Sequence, residues 1–225
     1  MSSSTDWPFS TPIPNTKNPC VLLTTGAMNP IHQGHIQMLE CAKATLEEEG
    51  WSVWTGFISP SHDLYLQGKT RGKGFVSAEQ RVEMAQLATK DSSWIEVATW
   101  ESQQEGDWPD FPEVIDDLYE RLSQLHSNIF VFYVCGSDHV HYCMRILNQP
   151  RKGVVVVPRM GDSNIRRFSD PEIIYVDLQN HPMASVSSTE VRNLLFSNQV
   201  ASKQKLGKML HPDVLQYISD HGLYV

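Results

Sequence analysis

TTGAMNPIHQGHIQML, residues 24–39, is the stretch from which the rest of this chain can be read. The run before it, VLL at 21–23, reads as a buried strand, and the pattern turns helical after Gly34, so strand, small-residue turn and helix start follow directly on one another. That order makes a phosphate-binding layout. Gly26 lets backbone approach a ligand closely, and a helix opening near Gly34 aims free N–H groups and its positive dipole end into the same space. His32 and His35, at i and i+3, share a face of the first turn. There they can donate hydrogen bonds to phosphoryl oxygens and, if protonated, place charge beside a leaving group. The plainer reading is a polar loop capping a helix. Two histidines, with Cys41 nearly two turns further on, do not make a zinc site.

At 225 residues the chain suits one α/β domain with a substantial core. A formal net charge of -8 argues against a nucleic-acid or anionic-membrane surface and favours a small anion held in a pocket. Cys20, Cys41, Cys135 and Cys143 include no CxxC pair, which suits a reducing, intracellular compartment; cytoplasm and nucleus are not distinguished. No stretch approaches the ~20 apolar residues of a membrane span. The leader MSSSTDWPFSTPIPNTKNP, 1–19, is expected to be flexible, and without a basic start or an apolar core it is not a signal peptide. The domain proper is expected to run over 20–225. Oligomeric state is not legible, and a homo-oligomer is left open.

Periodicity predicts strands at 20–25, 51–60, 94–100, 129–136, 153–158 and 172–178. Helices are predicted at 34–49, with Ile36, Leu39, Ala42 and Leu46 on its buried stripe, and at 78–89, opened by Ser77 and Gln80 as a capping box. Further helices are expected at 112–126, 138–147, 187–196 and 212–222. SPSHDLYLQGKTRGKGFVS, 59–77, reads as a long loop carrying Lys69, Arg71 and Lys73. Another loop carries Arg159, Arg166 and Arg167. Alternating strands and helices give a single Rossmann-like α/β domain, a mostly parallel sheet with helices on both faces and its ligand crevice at the carboxyl ends of the strands. Asp138 follows one such end, as an N-cap or as a reach toward a ribose. His139, His141 and Cys143 resemble metal ligands only along the sequence, since i and i+2 point apart on a helix. Ser187, Ser188 or Thr189 would cap the next helix and leave hydroxyls free for a phosphate, with Arg192 one turn on as a bidentate clamp.

GAMNPIHQGH, 26–35, resembles the GxFxPxHxGH signature of the nucleotidyltransferase superfamily, and SVSSTEVR, 185–192, resembles the ISSTxxR signature that closes the same site. Within that superfamily, ISPSHDLY, RVEMAQLA, WIEVATWES, YVCGSDH and ISDHGLYV are similar to segments of eukaryotic-type nicotinamide mononucleotide adenylyltransferases. The resemblance implies transfer of AMP from ATP to nicotinamide or nicotinate mononucleotide, giving NAD or its deamido form and pyrophosphate, with Mg²⁺ accompanying ATP and no protein-held metal. It implies His32, His35 and Arg192 as catalytic groups. For ATP it implies Gly26, Ala27, Met28 and His35 from the first motif and Gly136 with Asp138 from the turn. The second motif adds Ser187, Ser188, Thr189 and Arg192. For the mononucleotide it implies Tyr65, Lys69 and Thr99, with Trp100 stacked on the pyridine ring.

The chain departs from the family pattern at Ala27, Met28, Leu66, Gln67 and Ala98, and no tryptophan follows Trp108, so the family's second stacking aromatic has no counterpart. Lys69, Arg71 or Lys73 would then stand in for a missing lysine. A diverged ATPase or nucleotide-binding module, and a transferase with another acceptor, are the alternatives. SVSSTEVR does not spell the RTxGIST-type motif of cytidylyltransferases.

Overall fold

Six parallel strands form one sheet in the order β3-β2-β1-β4-β5-β6. In chain order they are β1 (Pro19–Gly26), β2 (Ser52–Pro60), β3 (Ile95–Val97), β4 (Phe130–Gly136), β5 (Lys152–Val157) and β6 (Ile173–Tyr175). The computed structural model describes residues 7–71, 74–159, 167–177, 179, 186–197 and 200–224. The chain winds outward from β1 through β2 to β3, then returns to the centre with β4 and winds the other way. The reversal lies between β1 and β4, where an open α/β sheet forms its crevice.

The inner strands β1, β2, β4 and β5 bury most of both faces, which explains their near-continuous apolar sequences. Leu22, Ile58, Phe132, Val134 and Val155 join one core cluster with α1 (Gln33–Glu48), α3 (Ala78–Thr89) and α7 (Pro212–Asp220). Val21, Leu23, Phe57, Val131 and Val154 join the other, with α4 (Phe111–Leu125). α5 (Ser188–Ser197) and α6 (Val200–Met209) complete the first layer through Val191 and Leu206. Gly153 marks a close approach, since a Cβ there would meet the Phe132 ring at 2.8 Å and the Glu172 carbonyl at 3.0 Å. Among the described residues no helix is long and apolar enough to cross a membrane.

Four expectations are corrected. The loop at 59–77 contains a helix, α2 (Asp63–Thr70): His62 Nδ1 accepts from the Leu64 N–H at 3.2 Å, Asp63 sits at the positive dipole end, and Leu66 is buried. The strand expected over 94–100 stops at Val97. Beyond it Trp100 is αR, and the carbonyls of Thr99 and Trp100 accept from the Ser102 hydroxyl and the Gln104 side-chain amide, closing a 3₁₀ turn over Glu101–Gln103. The helix expected over 138–147 is a short 3₁₀ segment, Val140–Arg145, flanked by i→i+3 bonds from His139 N–H to Gly136 and from Ile146 N–H to Cys143. The leader is not loose from Trp7 onward. Trp7 is 2% exposed and donates to Asp117 Oδ2 at 2.7 Å. Phe9 stacks on Trp54 at 5.8 Å, and Trp54 Nε1 donates to the Thr11 hydroxyl. Two aromatic side chains hold this segment against β2 and α4 because burying them removes a large apolar area from water.

Trp7→Ala therefore lowers unfolding free energy by about 3–5 kcal/mol, measured by urea denaturation. An unchanged midpoint would mean that the segment is not anchored.

Candidate active site

The carbonyls of the loop between β1 and α1 are bound by side chains from distant parts of the chain. Arg81, on α3 and fully buried, donates to Ala27 O at 2.8 Å, Ser61 O at 2.6 Å, Val76 O at 3.0 Å and Asp63 Oδ1 at 2.9 Å. The Ser188 hydroxyl donates to Pro30 O at 2.9 Å, and Arg192 Nη1 to Asn29 O at 2.5 Å. Tyr224 donates to Asn29 Oδ1 at 2.6 Å, while the Asn29 amide donates to Gly74 O at 2.8 Å. With those carbonyls bound, the loop and the α1 start present N–H groups to the crevice. Gly34 makes a close approach in this turn: a Cβ would meet the His32 ring at 3.0 Å, so a larger residue would have to push that ring aside.

His32 and His35 stack with centroids 3.8 Å apart, and the His32 N–H donates to His35 Nδ1 at 3.1 Å. Because Nδ1 accepts, the proton of neutral His35 resides on Nε2, leaving that atom as a donor. Burial and Arg159 depress both histidines, with the neighbouring His35 adding to the effect on His32: His35 falls to about 4 and His32 to about 2. Without an anion present both are therefore neutral hydrogen-bonding groups, the first of the two roles their spacing suggested.

These residues line a cleft of about 1060 Å³ running between the carboxyl ends of β1 and β4, large for a single small ligand. Gly26, Ala27, Met28, His32 and His35 line it, as do Gly136, Ser187, Ser188, Thr189 and Arg192. Tyr65 and Lys69 line it from α2, with the Lys69 ammonium 5.5 Å from the Tyr65 ring centroid. Three expectations change. Thr99 and Trp100 are outside the lining, and Trp100 packs against the core cluster beside α4. Asp138, exposed at the margin, pairs with Arg159 at 3.6 Å instead of lining the cleft. The hydroxyls at the α5 start are largely engaged already. Ser187 accepts from the Glu190 N–H at 3.2 Å, Ser188 is bound to Pro30, and Thr189 accepts from Arg192 Nη2 at 3.1 Å. Each terminal nitrogen of Arg192 therefore already holds a protein acceptor. Lys73 and Arg166 lie outside the described residues, and Arg71, at φ 50, ends α2.

Several lining residues escaped sequence reading. Arg159, named only as part of a basic loop, lies two residues past β5, so the strand-end rule that found Gly136 would have placed it in the site. Glu101 had no local signal. It is 4% exposed and accepts from the Ser59 hydroxyl at 2.7 Å, and burial pushes its carboxyl up to about 7. Among the described residues no group of three or more His, Cys, Asp or Glu could hold a metal.

The family model described as cytidylyltransferase-like matches residues 23–194. A nicotinamide/nicotinic acid mononucleotide adenylyltransferase of Oryza sativa subsp. japonica is 30% identical over 224 residues, covering 91% of this chain and 85% of that protein. The Bos taurus nicotinamide/nicotinic acid mononucleotide adenylyltransferase 1 is 42% identical over 107 residues, 47% of this chain and 36% of that one. Among solved structures, the Plasmodium falciparum nicotinic acid mononucleotide adenylyltransferase complexed with NaAD shares the fold. Its TM-score is 0.62 at 18% identity, over 92% of this chain and 98% of that one.

Glu101 makes a pH prediction. Between 4.5 and about 7 the folded state keeps a proton that the unfolded chain releases, so this group's contribution to stability falls as pH rises through that window. Chemical denaturation of wild type and Glu101→Gln across it should show wild type losing stability relative to the variant. A constant difference would remove the buried carboxyl's role.

Proposed function

The chain belongs to the nicotinamide/nicotinic acid mononucleotide adenylyltransferase branch of the cytidylyltransferase-like family, and on that premise we propose how its cleft works. It moves AMP from ATP to nicotinamide or nicotinate mononucleotide, giving the dinucleotide and pyrophosphate, a step of NAD biosynthesis. A phosphate oxygen of the mononucleotide attacks the α-phosphorus of ATP in line. The new O–P bond forms as the bond to the departing pyrophosphate breaks. The attacking oxygen is already anionic, so no general base is needed, and catalysis rests on positioning and charge stabilisation.

The observation that carries this reading is the tie between α5 and the first loop. Ser188 and Arg192 bind the carbonyls of Pro30 and Asn29, so both motifs bound one cleft and the loop's N–H groups stay available to phosphates. His35, with its proton on Nε2, donates to the transferring phosphate. His32, whose Nδ1 is buried without a partner, gains one as the triphosphate enters. Anionic oxygens beside the two rings raise their proton affinity from the depressed values of the free protein, so positive charge develops only where negative charge arrives. Arg192 and Arg159 flank the leaving pyrophosphate, and Mg²⁺ bound to its oxygens would neutralise further charge. Tyr65 and Lys69 serve the mononucleotide, with Lys69 the cation for its phosphate in place of the lysines absent at Leu66 and Gln67. None of the four cysteines forms a disulfide, which accords with an intracellular setting, cytoplasm or nucleus.

Pyrophosphate release by purified protein with Mg²⁺ and ATP should depend on the mononucleotide and yield the dinucleotide. Orthophosphate, or no release, would instead point to an ATPase or a binding module. His35→Ala should lower kcat by about a hundredfold or more with the unfolding curve unchanged. A folded variant with wild-type turnover would remove His35 from the mechanism.

A further inference from the structure

The loop between β1 and α1 is held against its own backbone preference. Met28, which is buried and lines the cleft, has φ 45, in the left-handed region that a long L side chain rarely adopts. Such a conformation persists only where its surroundings fix it. Ties flank it on both sides: Arg81 binds the Ala27 carbonyl at 2.8 Å, and Arg192 binds the Asn29 carbonyl at 2.5 Å.

A third constraint is the Asn29 side chain, which is also buried. Gly74, in the segment between α2 and α3, decides its orientation. The Gly74 carbonyl can only accept, so the Asn29 amide nitrogen faces it at 2.8 Å and Oδ1 is turned the other way. There the Tyr224 hydroxyl donates to Oδ1 at 2.6 Å. Tyr224 lies in the turn past α7 with φ 59, and its buried ring belongs to the core cluster shared with α1 and α7. Arg81 and Arg192, the two guanidiniums that bind the loop, both lie within electrostatic reach of its oxygen. One hydroxyl thus joins the core to the strained loop through a single amide. Without that donor Oδ1 is a buried acceptor with nothing to accept, and the amide is free to turn. Relaxation of Met28 to an ordinary φ would then rotate the peptide planes around it, and with them the N–H groups that the loop offers to a phosphate.

We propose that Tyr224 is a positioning residue for the triphosphate: its hydroxyl locks the Asn29 amide against Gly74 and so keeps Met28 in the left-handed conformation that shapes the phosphate loop. Tyr224 is outside the cleft lining and acts only through Asn29. The proposal rests on the reading of this loop as the ATP phosphate site, and it adds a residue from outside both motifs.

The test uses the full chain. Mg²⁺–ATP binding is measured by calorimetry without acceptor, and steady-state kinetics are run with Mg²⁺–ATP and nicotinamide mononucleotide. Tyr224→Phe keeps the ring and removes the hydroxyl. It should raise both Kd and KM for Mg²⁺–ATP about tenfold, while KM for the mononucleotide stays within about twofold. Asn29→Ala should weaken ATP binding by a similar factor, and the double variant should lose no more than about twofold beyond either single one, because the hydroxyl acts through that amide. A wild-type Kd for ATP in folded Tyr224→Phe, with only the urea midpoint lowered, would overturn the proposal and leave Tyr224 as packing alone. Losses that multiply in the double variant would overturn it too, since Tyr224 would then act independently of Asn29. A wild-type protein that binds Mg²⁺–ATP but forms no dinucleotide would overturn the adenylyltransferase reading, and the Kd comparison would still decide the role of Tyr224. Absence of ATP binding in wild type would overturn both.

Discussion

One buried guanidinium sets the geometry on which the site depends. Arg81 has no exposure to water, and four acceptors from four segments converge on it: the loop after β1, the end of β2, the start of α2 and the lead-in to α3. Taking a charge out of water costs several kcal/mol, and full coordination offsets that cost only while every acceptor stays in place. The interaction is therefore cooperative, and moving any one of these segments exposes the others to an uncompensated charge. It is also directional. By holding the Ala27 carbonyl, Arg81 orients a peptide at the mouth of the cleft, where an unbound carbonyl would repel an incoming phosphate.

The same logic recurs at larger sequence distance. Ser188, Arg192 and Tyr224 hold the Asn29–Pro30 segment from 158, 163 and 195 residues away along the chain. The phosphate loop is thus completed by the last helices and the chain's end, and its shape reports the whole fold having formed. Such contacts carry a high loop-closure cost until the sheet is in place. A preorganised site follows, since the donors are fixed before any ligand arrives.

Electrostatically the cleft is poised and not simply basic. The net charge of the chain is -8, yet Arg159, Arg192 and Lys69 line the cleft, and its two histidines are neutral because burial and nearby cations suppress their protonation. Glu101 lies in the same cavity with its proton retained by burial until near neutrality. On the proposed reading, an entering triphosphate would raise the proton affinity of both rings, so that positive charge would develop only where negative charge arrives.

Local sequence determined the alternation of strands and helices, the parallel sheet with both faces covered, and the placement of two motifs at strand ends. Periodicity and small-residue turns are properties of neighbouring residues and survive without knowledge of the fold. His32, His35, Gly136 and Arg192 were legible on that basis, and each lines the cleft. Tertiary structure alone decided what long-range burial and hydrogen bonding decide. It committed the α5 hydroxyls to the Asn29–Pro30 loop and Thr189's partner, drew Trp7 onto the sheet, and turned a glycine-dotted basic stretch into α2 around the buried Leu66. It also set a partly buried Trp100 against the core cluster and left Trp108 at the rim of the cleft, a difference between two indoles eight positions apart that no local pattern distinguishes. The reason is the same in each case: a side chain's partner is chosen by which surfaces the sheet brings together, and that is a property of the whole chain.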